Sequence, residues 1–368
     1  MKLFTSLCLS ISMAFTSYAQ ERVVVALSNP AASASDLVEL DYAQVAASLG
    51  KGTFKIINAA NGKEIAYQLI FEGNKVPVKI LLGTPVAARS KISITFVKGT
   101  PAPVNKKTFG RYVPERKDDF AWENDRVAFR MYGKALEATP KENAYGVDVW
   151  NKRTEKLIVN SWYKRGNYHK DEGEGLDYYH VGYTLGAGGI APYKKDSIWF
   201  PKNYTSSKVL DSGPLRTTFE LSYDAWQVDG VTINVTKTIS LDAGAQLSKM
   251  QIRFTDSVPV AIGIIKRNEP GTMLLEEAEG VMGYWEPVHG KDGTTGVGCV
   301  ILNPVKEMAV AKGHLLAVSA TDKNNTVTYY TGAAWDKAGR ITNAGQWFRY
   351  LQEQSERLKD PVKISFTR

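Results

Sequence analysis

Cysteine is nearly absent from this chain of 368 residues, which has only Cys8 and Cys299. Cys8 falls inside an expected export signal, so the mature protein keeps one thiol. One thiol makes no internal disulfide, and zinc sites built on several cysteines are excluded. Cys299 lies in the strand-like run Gly296–Ile301 and reads as a small buried hydrophobe. Histidine is also scarce, with four in the chain. No Gly-x-Ser-x-Gly elbow occurs, which leaves a serine triad without support. Long apolar runs are missing too, so no membrane span is expected. The one short run, Leu3–Phe15, follows Lys2 and precedes the small-x-small Ser17-Tyr18-Ala19. This predicts a signal peptide over residues 1–19 and a periplasmic or secreted protein. Cys8 lies within the apolar run rather than after it, which argues against a lipid anchor there.

What is present is an ordinary globular composition, 43% hydrophobic, 23% charged and 11% aromatic, which excludes a disordered or fibrous chain. The net charge of +8 favours anionic partners. These could be nucleic acid, an anionic membrane or acidic sugars; the first two need a concentrated basic patch, and export argues against nucleic acid. Short Val/Ile/Thr/Tyr/Phe-rich runs recur from Arg22–Leu27 to Thr326–Thr331, several with strict alternation, and Lys156–Val159 is read among them. Two helices are expected, a short one near Tyr42–Leu49 and one after Asn343 or Thr342 that carries Trp347, Tyr350 and Leu351 on one stripe. The fold class is therefore all-β with few helices. The Gly/Pro/Lys-rich stretch Lys98–Thr108 sets a boundary between an N-terminal β-sandwich-like region, 20–100, and a large sandwich, 101–368.

Residues 109–123 and 161–193 stand apart. The second stretch holds His169 and His180, six tyrosines and seven glycines, a mixture suited to a binding or catalytic site on a β scaffold. The two histidines flank Asp171, Glu172, Glu174 and Asp177, but the spacing matches neither a zinc helix nor a calcium loop. No metal and no cofactor are expected. His289 lies in an aromatic turn, and His314 precedes an apolar strand and reads as structural. Gly186-Ala187-Gly188-Gly189 lacks the Lys-Ser/Thr ending of a phosphate loop, so its glycines serve backbone bending or close approach.

Arg111–Asp125, Gly146–Trp150, the run HKDEGEGLDYYHVGYTLGAGG, Trp199–Tyr204 and Gly213–Phe219 together resemble one family, the exported domain-of-unknown-function family numbered 4861 of polysaccharide-utilisation loci. The resemblance implies a galactose-mutarotase-like and polysaccharide-lyase-like β-supersandwich for residues 101–368. It also implies an activity, because one member, from an ulvan-degrading pathway, is an oligosaccharide dehydratase. That reaction takes the C5 proton and the 4-hydroxyl from a non-reducing-end uronic acid. It needs a cation at the carboxylate, a base at C5 and an acid at O4. His169 or His180 is the candidate base, Tyr178 or Tyr179 the acid, and Arg111 the carboxylate clamp. Arg116, Lys117, Arg165 and Lys170 are further cationic candidates. Trp122 and Trp285 are candidates to hold the ring, with His289 and Trp335 beside them, and Glu123 and Asp336 as second-line acids. A lyase, an epimerase or mutarotase, and a non-catalytic glycan-binding module fit the same residues. The dense Tyr/His/Arg loop favours an enzyme on an acidic oligosaccharide.

Overall fold

The computed structural model describes residues 23–50 and 52–367. The expected export signal, with Cys8, lies outside them. Strands dominate, and the helices are α1 (Tyr42–Leu49), α2 (Val159–Arg165) and α3 (Ala344–Lys359).

Both ends of the described chain meet in one small sandwich. Val23–Ser28 pairs antiparallel with Lys363–Thr367 on one side and Lys91–Lys98 on the other, and Phe54–Asn58 completes the sheet. A second sheet orders Ser35–Asp41, Lys79–Val86 and Ala66–Ile70. Alternate residues such as Val23, Val25 and Leu27 turn inward to meet Ile80, Leu82, Ile94 and Phe96, as the two-residue period of a strand requires. The Asp41 carboxylate caps α1 by accepting from the Gln44 amide at 2.9 Å.

The larger part is built of three large sheets and a two-stranded hairpin, Trp226–Val228 with Val231–Ile233. In spatial order, the eight-stranded one runs Ser206–Ser212, Arg216–Ser222, Val235–Asp242, Leu247–Phe254, Thr326–Trp335, Thr295–Ile301, Val281–Trp285 and Thr272–Glu276. One five-stranded sheet comprises Gly175–Leu176, Asp148–Lys152, Ala128–Met131, Asp119–Asn124 and Thr108–Val113. Another comprises Ser197–Ile198, Ala187–Lys194, Pro259–Ile265, His314–Ala320 and Val305–Ala311. A single apolar core joins all three, drawing Phe120 and Phe129 from the first five-stranded sheet, Ile190 and Ile262 from the second, and Phe219, Ile239 and Met250 from the large one. The Phe120 and Phe219 rings stack at 4.0 Å between sheets. This is the all-β sandwich architecture expected from the sequence.

α3 covers part of the other face of the eight-stranded sheet, where Trp347 and Leu351 pack on Leu247, Val281, Val300 and Ala334. Asn343 caps it, accepting from the Gln346 amide at 3.0 Å. One local expectation changes. Lys156–Val159 is not a strand: it leads into α2, because the buried Glu123 carboxylate takes the Ile158 and Val159 amides at 2.8 and 2.7 Å. Four residues are too few for alternation to tell a strand from a helix start. The glycine-rich run becomes a core strand, Ala187–Lys194. At Gly188 (φ +88°) a Cβ would overlap the Thr331 side chain and come within 2.9 Å of Cys299 Sγ. Gly188→Ala is expected to lower unfolding free energy by about 1–3 kcal/mol in urea titration. An unchanged midpoint would show that the sheets can part at no cost.

Candidate active site

The segment from Tyr168 to Gly182, which follows α2, borders a cleft of two lobes. The first, of about 260 Å³, is lined by Arg116, Tyr132, Asn143, His169 and Asp177, among others. The second, of about 350 Å³, is lined by Arg267, Glu269, Glu286 and His289. Tyr178 and His180 border both.

Beneath the first lobe lies a charge network that strand register creates. Arg130 and Asp148 are cross-strand partners. Arg130 Nη2 reaches Asp148 Oδ2 at 2.6 Å and Asp177 Oδ2 at 3.4 Å, and Nη1 lies 3.7 Å from Asp119 Oδ2. Its Nη groups also donate to the Tyr132 and Tyr168 hydroxyls, both at 3.4 Å. The Arg130 side chain is 7% exposed, so one buried guanidinium serves three buried carboxyls. Burial pushes Asp119 up to about 7 against the pull of Arg130 and Arg116. Burial raises Asp148 and Asp177 as well.

The sign of the pH effect follows. A carboxyl raised in the folded state stabilises the fold below its unfolded pKa of about 3.9 and loses that contribution as pH rises through its folded value. For Asp119 the window closes near pH 7. Relative to Asp119→Asn, the wild type is expected to lose on the order of a few kcal/mol across that window, read by urea unfolding at several pH values. Parallel stability curves would remove Asp119 from this account.

The network orients His169. Its Nδ1 lies 2.9 Å from the Asp177 backbone oxygen and 3.6 Å from Asp177 Oδ2. A carbonyl can only accept, so Nδ1 carries the hydrogen and Nε2 keeps a lone pair in the neutral ring, the tautomer a base needs. The ring also packs on Tyr168, with centroids 4.6 Å apart. His180 is exposed, while its backbone oxygen accepts from Arg267 Nη1 at 2.8 Å. Arg267 Nε donates to Glu286 Oε1 at 2.8 Å, and its guanidinium lies 4.6 Å from the Tyr179 ring centre. Burial holds Glu286 at about 7 despite Arg267. Tyr178 stacks on His289 at 4.6 Å with planes 5° apart, and its hydroxyl meets Thr295 Oγ1 at 2.6 Å. Burial raises its phenol.

The structure thus brings His169, His180, Tyr178, Arg116 and His289 to the cleft. Tyr179 contributes a wall there, but its buried hydroxyl has no partner among the described residues. The other candidates lie outside both lobes. Arg111 binds Glu115 and, at 2.7 Å, Asn160, away from the cleft, whereas Arg116 lines the first lobe with its Nη1 3.4 Å from Glu142 Oε2. Lys117 pairs with Glu142 at 3.0 Å, and Arg165 with Glu172 at 3.1 Å. Lys170 is exposed. Trp122 is wholly buried and donates to Ser248 Oγ at 3.0 Å. Glu123 caps α2 and pairs with the buried Lys152 at 2.7 Å. Trp285 packs beneath α3, on the sheet face opposite Tyr284. Trp335 is buried and donates to the Asp292 oxygen at 2.8 Å, and Asp336 begins the following 3₁₀ turn. These aromatic and acidic residues have the right chemistry but point into packing, which residue type alone does not show. His314 is structural as expected, accepting from the Leu185 amide at 3.0 Å. Among the described residues no group of three or more His, Cys, Asp or Glu is placed to hold a metal ion.

Sequence reasoning missed Arg130, Asp119, Asp148, Arg267 and Glu286. A signal existed for two of them. Arg130 interrupts the otherwise apolar strand Ala128–Met131, and Asp148 precedes the apolar pair Val149-Trp150; a buried charge needs a partner.

Residues 27–364 match the family described as "Domain of unknown function (DUF4861)". "Uncharacterized protein P7" of Formosa agariphila is 30% identical over 335 residues, covering 85% of this chain and 84% of that protein. Among solved structures, a glycosyl hydrolase family 38 protein from Enterococcus faecalis superposes with a TM-score of 0.55 at 10% identity, over 95% of this chain and 48% of that one. An α-mannosidase from Enterococcus faecalis V583 gives 0.51 at 9% identity, over 95% and 46%. The chain spans about half the length of these two proteins, and the likeness is one of fold.

Proposed function

The chain belongs to the DUF4861 family, and from that premise we propose an exported carbohydrate-active enzyme that eliminates water from a non-reducing-end uronic acid. The observation that carries the proposal is the first lobe, where the free Nε2 of His169, the His180 imidazole and the Arg116 guanidinium border one space. The likeness of fold to two glycoside-processing enzymes supports a sugar substrate.

The C5 hydrogen of a uronate is acidified only by its own carboxylate, which is an anion and resists further charge. Arg116 supplies the neutralising cation, in the role the sequence suggested for Arg111. His169 Nε2 takes the C5 proton, and the electron pair left on C5 forms the C4=C5 double bond. O4 departs with a proton from His180 and leaves as water. The second lobe, with Arg267 and the Tyr178–His289 stack, takes the adjoining sugar. The product keeps its chain length and gains a conjugated enoate.

Ultraviolet absorbance of that enoate tests the proposal on uronic-acid-capped oligosaccharides. A rise with no shorter chains is expected. A rise accompanied by shorter chains would make the protein a lyase, and a flat trace with every acidic oligosaccharide would overturn the enzyme reading.

A further inference from the structure

A second recess lies away from the cleft, on the face of the eight-stranded sheet that α3 leaves uncovered. It has a volume of about 460 Å³. Its floor is written in the strand register. Thr218, Ser240 and Lys249 form one cross-strand row, and Glu220, Thr238 and Gln251 the next. Arg253 continues the edge opposite Thr326. Along Leu247–Phe254 the apolar residues Met250, Ile252 and Phe254 turn into the core, which forces Lys249, Gln251 and Arg253 onto this outer face. Glu72 and Lys79, from the small N-terminal sandwich, raise one wall.

The charges of this recess are unevenly used. Arg216 is held by Asp242 and Glu39, both at 2.5 Å, and Lys79 by Glu72 and Glu39 at 2.9 and 3.1 Å. Lys249 and Arg253 have no hydrogen-bond or ion-pair partner among the described residues, although Lys249 is partly buried. Partial burial of an ammonium with no carboxylate at ion-pair distance is costly, and burial lowers the Lys249 pKa against the weaker pull of Glu39. An anion in the recess would relieve it.

We propose that this recess is a second binding site, separate from the cleft, for a carboxylated polysaccharide chain. Lys249 and Arg253 meet its carboxylates, and Thr218, Thr238, Ser240 and Gln251 bond its hydroxyls. Short hydroxyl and amide side chains set in rows suit the dense polar edge of a glycan better than a phosphate ester, which favours clustered guanidinium groups. The choice of a carboxylated glycan rests on the proposed function. The site would hold a polymer on the enzyme while its free end is processed elsewhere.

The test uses the mature protein and polygalacturonate in affinity gel electrophoresis, with dextran sulfate and polyphosphate as parallel probes. The double variant Lys249→Gln/Arg253→Gln is expected to bind polygalacturonate about tenfold or more weakly, from two lost charge-assisted hydrogen bonds. Its ultraviolet-monitored turnover of short oligosaccharides should be unchanged. His169→Ala should do the reverse, losing turnover while keeping polymer binding. Undiminished binding by the double variant would overturn the site. So would equal retention of the wild type by all three polyanions, which would be nonspecific attraction. A flat absorbance trace alongside Lys249-dependent polymer binding would sink the elimination chemistry and leave the site standing.

Discussion

His169→Ala is expected to lower turnover by about 10²–10⁴-fold, the range for a general base, while leaving the unfolding midpoint nearly unchanged. The imidazole side chain is 62% exposed, so its removal opens no cavity. His180→Ala should fall in the same range, because it loses the proton donor at O4. Tyr178→Phe should cost much less, since its hydroxyl is engaged with Thr295 rather than free in the cleft. Steady-state kinetics on one oligosaccharide separates the three. If both histidine variants keep near-normal turnover, the acid–base assignment is wrong. If Tyr178→Phe is the crippled variant, the proton donor is the phenol.

Arg130→Met should produce the largest stability effect, a loss of about 3–5 kcal/mol in chemical unfolding. Methionine fills similar space but leaves Asp119, Asp148 and Asp177 without the guanidinium that joins them. The deficit should shrink at low pH. Without Arg130 these carboxyls are raised further, and protonation removes the charge that costs most. Adding Asp148→Asn to Arg130→Met should recover part of the loss, because contacting residues do not act additively. A loss below about 1 kcal/mol, independent of pH, would mean that water reaches the network. The same variant should also lose turnover, since Asp177 both belongs to this network and fixes the His169 ring.

Many strands with one face in water were legible, although Ser35–Asp41 and Val305–Ala311, also half exposed, went unread. Leu247–Phe254 alternates in sequence and in burial, and α3 starts at the expected cap. Strands buried on both faces hid where polar residues broke the apolar run, because period two vanishes when neither side is solvated; the equally buried Gly296–Ile301 run, apolar throughout, read as a strand. Asp119–Asn124 is buried throughout and carries two acids, an aromatic pair and an amide, a mixture that reads as a loop. The site was half legible for a related reason. His169 and His180 stand in an unusual local stretch, visible in one dimension. Arg130, Asp148 and Glu286 acquire their meaning only from partners on neighbouring strands or across the cleft. Tryptophans misled because the flat face that suits a sugar also suits a core, and Trp122 and Trp285 took the core.

The most direct measurement is mass spectrometry of a uronic-acid-capped oligosaccharide after incubation with the protein in heavy water. Elimination at the cleft predicts a product lighter by one water, of full chain length, with no deuterium at C5, which no longer carries hydrogen. An oligosaccharide of unchanged formula that has gained one deuterium would contradict the account and identify an epimerase working with the same base.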